Sequence, residues 1–294
     1  MRRDLFPSHI KIMDKKKSIF FKFLLVIGLL IFFYPNISDY VNSFTQTTGI
    51  INYEKSLSEF DKIDIKKIKE DAILYNQKIF DEKESIYYPN LVKGYKETLN
   101  PFNDGMMGYL NIEKIGLNLP IYHGVNEGVI QKGVGHLPGT SLPIGGYSSH
   151  AVLSTHSGLP SAKLFTDLHK LDIGDKFIVS VLGDVLNYKV VQKETVLPKE
   201  VESLEVYEGK DYVTLITCTP YGINTHRLLV RGERIEDSRF DEEDKISEKT
   251  SEKAKKNMYA STIKLALILV LIIIIILSII KDIIYLRKEK LIEK

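Results

Sequence analysis

The sequence predicts a mainly β fold, a closed barrel of short strands, preceded by a helical extension and flanked by two membrane-spanning helices. Three observations predict it. From Gly105 onward short apolar runs recur at near-regular spacing and are broken by Gly and Pro, the pattern of strands that turn back often. From Ser38 to about Leu99 the apolar residues recur at helical spacing instead,. Near each end lies a stretch almost free of charge and long enough to cross a bilayer,.

In chain order, residues 1–18 form a basic tail containing Arg2, Arg3, Lys11, Lys15, Lys16 and Lys17. Residues 19–35 form the first anchor, apolar from Ile19 to Tyr34 except for Lys22, which is expected to snorkel to the edge,. A cleaved signal peptide is the competing reading. The bulky Tyr34-Pro35-Asn36-Ile37 offers no small-residue cleavage site, so an uncleaved anchor is preferred. Residues 36–104 form a helical region whose stripe of Leu57, Phe60, Ile63, Ile65, Ile68, Ala72, Ile73, Tyr75 and Ile79 is expected to pack on the barrel,. The barrel follows at 105–236, with candidate strands at 108–112, 119–123, 151–155, 176–182, 185–192, 212–218 and 227–234. Gly183-Asp184 marks a hairpin,, and short helical turns fit 127–132 and 162–168. A charged, solvated tether covers 237–258,. The second span covers 259–280, and a basic tail closes the chain at 281–294.

Composition narrows the function classes. The chain is 44% hydrophobic and 27% charged with a net charge of +2, ordinary for a globular protein with apolar ends. Its basic residues are dispersed and no nucleic-acid motif occurs, so nucleic acid is not expected as a partner. One cysteine excludes a disulfide framework and a Cys-rich zinc site,. The acidic run Glu242-Glu243-Asp244 reads as a solvated charge run, so no metal site is assigned,.

That single cysteine, Cys218, closes the apolar run from Tyr212, and Arg227 opens the next run after a turn-rich connection. If the two runs pair, a thiol and a guanidinium meet at one end of a sheet, the setting that activates a nucleophile. A small buried hydrophobe is the alternative reading of the same residue. His156 follows the run Ala151-Val152-Leu153-Ser154-Thr155 and enters the loop Ser157-Gly158-Leu159-Pro160. It is thus held by a strand yet open to solvent, as a general acid/base must be. His150 and His226 lie near candidate site residues and compete for substrate contact. His9 belongs to the basic tail, His169 to a helical polar face, and His123 and His136 to turns.

The stretch Thr214-Leu215-Ile216-Thr217-Cys218-Thr219-Pro220-Tyr221-Gly222-Ile223-Asn224-Thr225-His226-Arg227-Leu228-Leu229-Val230-Arg231-Gly232 resembles the active-site block of class C sortases, the pilin-polymerising transpeptidases of Gram-positive bacteria. Leu153-Ser154-Thr155-His156-Ser157-Gly158-Leu159-Pro160 resembles the same family's histidine block. Three earlier segments, Gly108-Tyr109-Leu110-Asn111-Ile112, Leu119-Pro120-Ile121-Tyr122-His123-Gly124 and Gly133-Val134-Gly135-His136-Leu137-Pro138-Gly139, match its early strands in order. The resemblance runs from about Asn76 to about Glu236 and implies an eight-stranded sortase barrel. It also implies roles: Cys218 as nucleophile, His156 as general acid/base, Arg227 as electrostatic stabiliser, with Thr217 a candidate for orienting substrate. The implied reaction cleaves an LPxTG-like sorting signal and joins it to a pilin lysine, with no cofactor. The implied partners are pilin or surface-protein precursors and membrane lipid.

One departure stands out. The family's lid carries an Asp-Pro-aromatic motif ahead of the barrel. Here Glu82-Lys83-Glu84-Ser85-Ile86-Tyr87-Tyr88-Pro89-Asn90-Leu91 has no Asp-Pro pair, so Tyr87, Tyr88 and Pro89 are the candidate lid residues. Attachment of single proteins to the cell wall, hydrolysis by a secreted peptidase and a non-catalytic tethered adaptor remain alternatives. Basic residues at both ends place both termini in the cytoplasm and the barrel outside the cell membrane.

Overall fold

The computed structural model describes residues 8–235 and 243–292. Two compact units emerge, one from the stretches 1–40 and 255–294 and the other from 41–254.

The first unit contains the opening turns of α1 (Ser8–Ser58) and most of α4 (Glu243–Ile292). Both helices are long and apolar enough to cross a membrane by length and composition, with candidate spans at Met13–Ser58 and Ala266–Lys288. Lys22 pairs rather than snorkels: its Nζ lies 2.6 Å from Asp282 and 2.8 Å from Ser278 Oγ. Lys15 Nζ reaches the other Asp282 carboxylate oxygen at 2.6 Å. Asp282 is buried, and two ammonium groups supply the compensation a buried carboxylate requires. α1 continues through Pro35. α4 begins within the stretch expected to be a tether, while residues 236–242 lie outside the described part.

The second unit is the barrel with its helical support. α2 (Lys62–Asp81) starts at Asp61, whose carboxylate accepts from Ile63 N, a standard N-cap. It buries Ala72, Tyr75, Asn76 and Ile79 against the barrel, whereas Ile63 and Ile73 of the expected stripe face solvent. Asn76 grips the barrel through both amide atoms, donating to Leu142 O and accepting from Leu142 N. The helical pattern expected to reach Leu99 stops at Asp81 and gives way to turns.

Eight strands follow: β1 (Met106–Ile112), β2 (Leu117–His123), β3 (Val134–His136), β4 (Ser149–Ser154), β5 (Lys176–Val181), β6 (Asp184–Val196), β7 (Asp211–Thr219) and β8 (His226–Arg234). They close in the order β1-β2-β3-β4-β7-β8-β6-β5. The pairs β2/β3 and β4/β7 are parallel and the others antiparallel. A four-residue helix, α3 (Glu127–Ile130), joins β2 to β3, and a 3-10 turn at Leu164–Lys170 replaces the second expected helix. Closure removes every free sheet edge. It also leaves an interior filled by Leu110, Leu153, Phe177, Val179, Leu215 and Val230. The β5/β6 hairpin turns at Leu182 and Gly183, with φ of 48° and 84°, one residue earlier than expected. Two left-handed residues in succession match the twist of the flanking strands.

β3 is missing from the strands read from the apolar runs and is marked only by the family resemblance, and the two histidines assigned to turns belong to strands. His123 ends β2, and His136 lies fully buried in β3 with Nε2 2.8 Å from Ser141 O and Nδ1 2.9 Å from Tyr95 Oη.

Candidate active site

Three neighbouring strands, β4, β7 and β8, end together at one rim of the barrel. In the β7/β8 ladder Cys218 stands opposite Arg227, Ile216 opposite Leu229 and Thr214 opposite Arg231. In the β4/β7 ladder Ser154 stands beside Ile216, so two residues further His156 comes level with Cys218. The connection is fastened there: Thr155 N donates to Ile216 O at 3.3 Å and Thr217 Oγ1 to Thr155 O at 2.8 Å. The sequence-predicted Cys218, His156 and Arg227 therefore form one row across three strand ends. Direct cross-strand neighbours have Cβ atoms about 4.5–5.5 Å apart.

Side-chain alternation decides which neighbours share the face. Val213 and Leu215 enter the interior core, and Ile216 faces the outside with Val152 and Leu229. Cys218, two residues from Ile216, shares that outer face. Its thiol is half-buried and unpaired. Arg227 is steadied through Nη1, which donates to Asn224 O at 3.2 Å and His226 O at 3.1 Å. Its Nη2 and Nε have no protein partner among the described residues, so donors remain for a developing oxyanion. His156 places Nε2 3.2 Å from Glu127 Oε1.

Below this row lies a small buried apolar cluster of Val152, Leu204, Ile216 and Leu229, with Leu137, Val196 and Val201 packed against it. Leu204 and Val201 belong to the β6/β7 connection, which Arg231 holds down. Its guanidinium donates to Ser203 O and, at 2.8 Å, to Gln192 Oε1, and lies 5.3 and 5.2 Å from the rings of Tyr207 and Tyr212. A cation between two aromatic faces recovers part of its desolvation cost. The sequence hint for Arg231 is an arginine directly after the apolar Leu228-Leu229-Val230.

The other candidates separate. Thr217 faces inward, being one residue from Cys218, and is buried with its hydroxyl on Thr155 O. It positions the strand ends rather than touching substrate. His150 is fully buried: Nδ1–H donates to Glu205 O at 2.8 Å and Nε2 accepts from Thr214 Oγ1 at 2.7 Å. Burial keeps this ring neutral, with its pKa pushed down to about 4,, and both ring nitrogens are taken by the protein. His226 stands opposite Thr219, outside the row, with Nδ1 2.9 Å from Thr225 Oγ1.

Residues 82–90 run beside the apolar cluster. Ser85 is buried with its hydroxyl 2.9 Å from Gly139 O. Ile86 packs on the cluster of Val152, Leu204, Ile216 and Leu229. A Cβ at Gly139 would meet Ser85 O at 2.2 Å, so only glycine lets this backbone approach. Tyr87 and Tyr88 are exposed and Pro89 is half-exposed. Only the Tyr87 hydroxyl reaches across, 3.5 Å from Glu205 Oε1. What packs on the cluster is thus the aliphatic Ile86, and the candidate lid rings Tyr87 and Tyr88 face solvent.

A sequence profile of the sortase domain matches residues 110–235. Sortase A of Listeria monocytogenes is 26% identical over 214 residues, covering 71% of this chain and 87% of that protein. The crystal structure of sortase C1 from Streptococcus agalactiae aligns with 43% identity and a TM-score of 0.60, covering 65% of this chain and all of that one. Sortase C from Clostridium perfringens aligns with 38% identity and a TM-score of 0.55, covering 65% of this chain and 99% of that one.

Proposed function

The chain belongs to the sortase family, within class C, and from that premise we propose that Cys218, His156 and Arg227 carry its cysteine transpeptidase reaction on pilin precursors. The single observation that supports the assignment is the register that sets Cys218 opposite Arg227 and level with His156. In the proposed reaction the Cys218 thiolate attacks the threonine carbonyl of an LPxTG-like sorting signal. Arg227 donates to the oxyanion from the nitrogens its backbone contacts leave open. His156 protonates the departing glycine amine, leaving a thioester on Cys218. A pilin lysine amine then attacks the thioester, gives its surplus proton to His156 and expels the Cys218 thiolate as the C–S bond breaks, so the product leaves as an isopeptide. The threonine side of the signal lies over Cys218, and a groove over the apolar cluster of Val152, Ile216 and Leu229 receives the residues before it.

In the same reading residues 82–90 form a strap that occupies the substrate groove through Ile86. The barrel works outside the cell membrane as a two-pass protein. The Lys15–Asp282 pair supports the two ends lying on one side, because it joins a residue of the N-terminal basic tail to one of the C-terminal tail.

Trapping tests the assignment. Full-length chain incubated with a Leu-Pro-Xaa-Thr-Gly peptide and quenched in acid should carry the acyl group on the Cys218 peptide by mass spectrometry. Cys218→Ala should abolish both cleavage and transfer while melting like the parent. Turnover in that variant above a few per cent of wild type would remove Cys218 from the mechanism.

A further inference from the structure

The His156 ring has a protein partner on one nitrogen only. Nε2 lies 3.2 Å from Glu127 Oε1, while Nδ1 has none among the described residues. A carboxylate oxygen only accepts, so the contact requires hydrogen on Nε2. Glu127 is itself oriented, because the same Oε1 accepts from Gln131 Nε2 at 2.7 Å. The turn that carries both residues is pinned to the strand that carries His156. Asn126 caps it through Val129 N at 3.2 Å, and the Thr155 hydroxyl lies 2.8 and 2.7 Å from the carbonyls of Ile130 and Gly133. Thr155 in turn is tied to β7 one residue before the thiol. Gln131, Glu127 and His156 thus form a chain of side chains on one rigid corner.

We infer that Glu127 is a positioning residue for the transfer reaction: it holds the His156 proton on Nε2 and presents Nδ1 as the nitrogen that exchanges protons with the amines. This rests on the assignment of His156 as acid/base. In acylation the imidazolium gives its Nδ1 proton to the departing amine and becomes the neutral ring with hydrogen on Nε2. In transfer Nδ1 takes a proton back from the incoming amine. Glu127 accepts the Nε2 hydrogen in both directions, which keeps the proton exchange on Nδ1,. Its side chain is 64% exposed, so its influence is that of a solvent-screened pair rather than of a buried triad carboxylate. The matching loss is about two- to fivefold in rate.

The test uses full-length chain in detergent with a Leu-Pro-Xaa-Thr-Gly donor and a lysine-bearing peptide acceptor. Glu127→Gln keeps an acceptor oxygen without the charge, and Glu127→Ala removes both. The expected kcat order is wild type, then Gln, then Ala, with the Ala variant down about two- to fivefold and donor KM unchanged. Nitrogen-15 shifts of histidine-labelled protein should show hydrogen on His156 Nε2 in wild type and Glu127→Gln, and a mixture of tautomers in Glu127→Ala. Wild-type kcat and tautomer in Glu127→Ala, or a loss confined to KM and melting temperature, would overturn the inference. His156→Ala separates the two levels: if it is dead while Glu127→Ala is normal, only Glu127 fails. If it is active, the acid/base assignment falls and takes the inference with it.

Discussion

At the scale of single residues, Arg227 tests whether geometry or charge matters at this rim. Two of its donors stay open because Nη1 is occupied by the carbonyls of Asn224 and His226. A lysine keeps the charge but offers one compact ammonium on a flexible stem, with no fork to divide between backbone and oxyanion. Arg227→Lys is expected to lower kcat by about a hundredfold at unchanged melting temperature. Wild-type turnover would reduce Arg227 to a strand residue. The row Cys218, His156 and Arg227 was legible because each residue interrupts an apolar run with chemistry the run does not need. His150 was not separable from His156 in the same way. Both leave β4 on the outer face, six residues apart, and what divides them is depth: His150 lies beneath the β6/β7 connection on Glu205 O. Burial by a distant loop has no local signature. Glu127 and Arg231 were missed for the same reason, since their partners lie 29 and 39 residues away.

At the scale of elements, the strands with continuous apolar runs were found to within a few residues. β3 is marked only by the family resemblance, because three residues with a glycine in the middle and another before them show no apolar run until β2 and β4 pair on either side. The strap shows the converse failure. Aromatic rings look like plugs in a sequence, yet Tyr87 and Tyr88 are exposed and it is Ile86 that packs on the cluster of Val152, Leu204, Ile216 and Leu229. Ser85 and Gly139 fix which side chain points down. Half-burying an isoleucine contributes roughly 1 kcal/mol, so losing it should raise the population of open groove about fivefold. Apparent affinity scales with the competent fraction. Ile86→Ser is therefore expected to lower the KM for a sorting-signal peptide up to about fivefold, whereas Tyr87→Ala with Tyr88→Ala should change it less than twofold. An unchanged KM in Ile86→Ser, or a larger effect from the tyrosine pair, would mean that the strap does not compete with substrate.

At the scale of the whole molecule, the barrel encloses two neutral histidines, and that makes its stability depend on pH. Burial depresses His136 to about 3 and His150 to about 4, against about 6.5 in an unfolded chain. Each ring lies between a carbonyl and a hydroxyl away from solvent, His136 on Ser141 O and Tyr95, His150 on Glu205 O and Thr214, and it is this burial that disfavours the charged form,. Each therefore contributes stability that is complete above about pH 6.5 and is lost as pH falls toward the folded value, because the unfolded chain binds protons that the folded one refuses. Once both are linked, stability should fall by about 2.7 kcal/mol per pH unit, twice the cost of one pH unit per proton. Asp211 acts in the opposite sense, since burial raises its carboxyl; its offset begins only as the carboxylates titrate. Denaturant unfolding of the full chain, followed by the near-ultraviolet signal of its tyrosines, should thus show a steep loss between about pH 6 and 4.5 at constant m-value. Replacing His150 with glutamine, which supplies a donor and an acceptor without a titrating proton, should halve that slope whatever it does to stability at pH 7. A flat profile, or a slope untouched by the substitution, would show that the buried rings do not govern the acid limit of the fold.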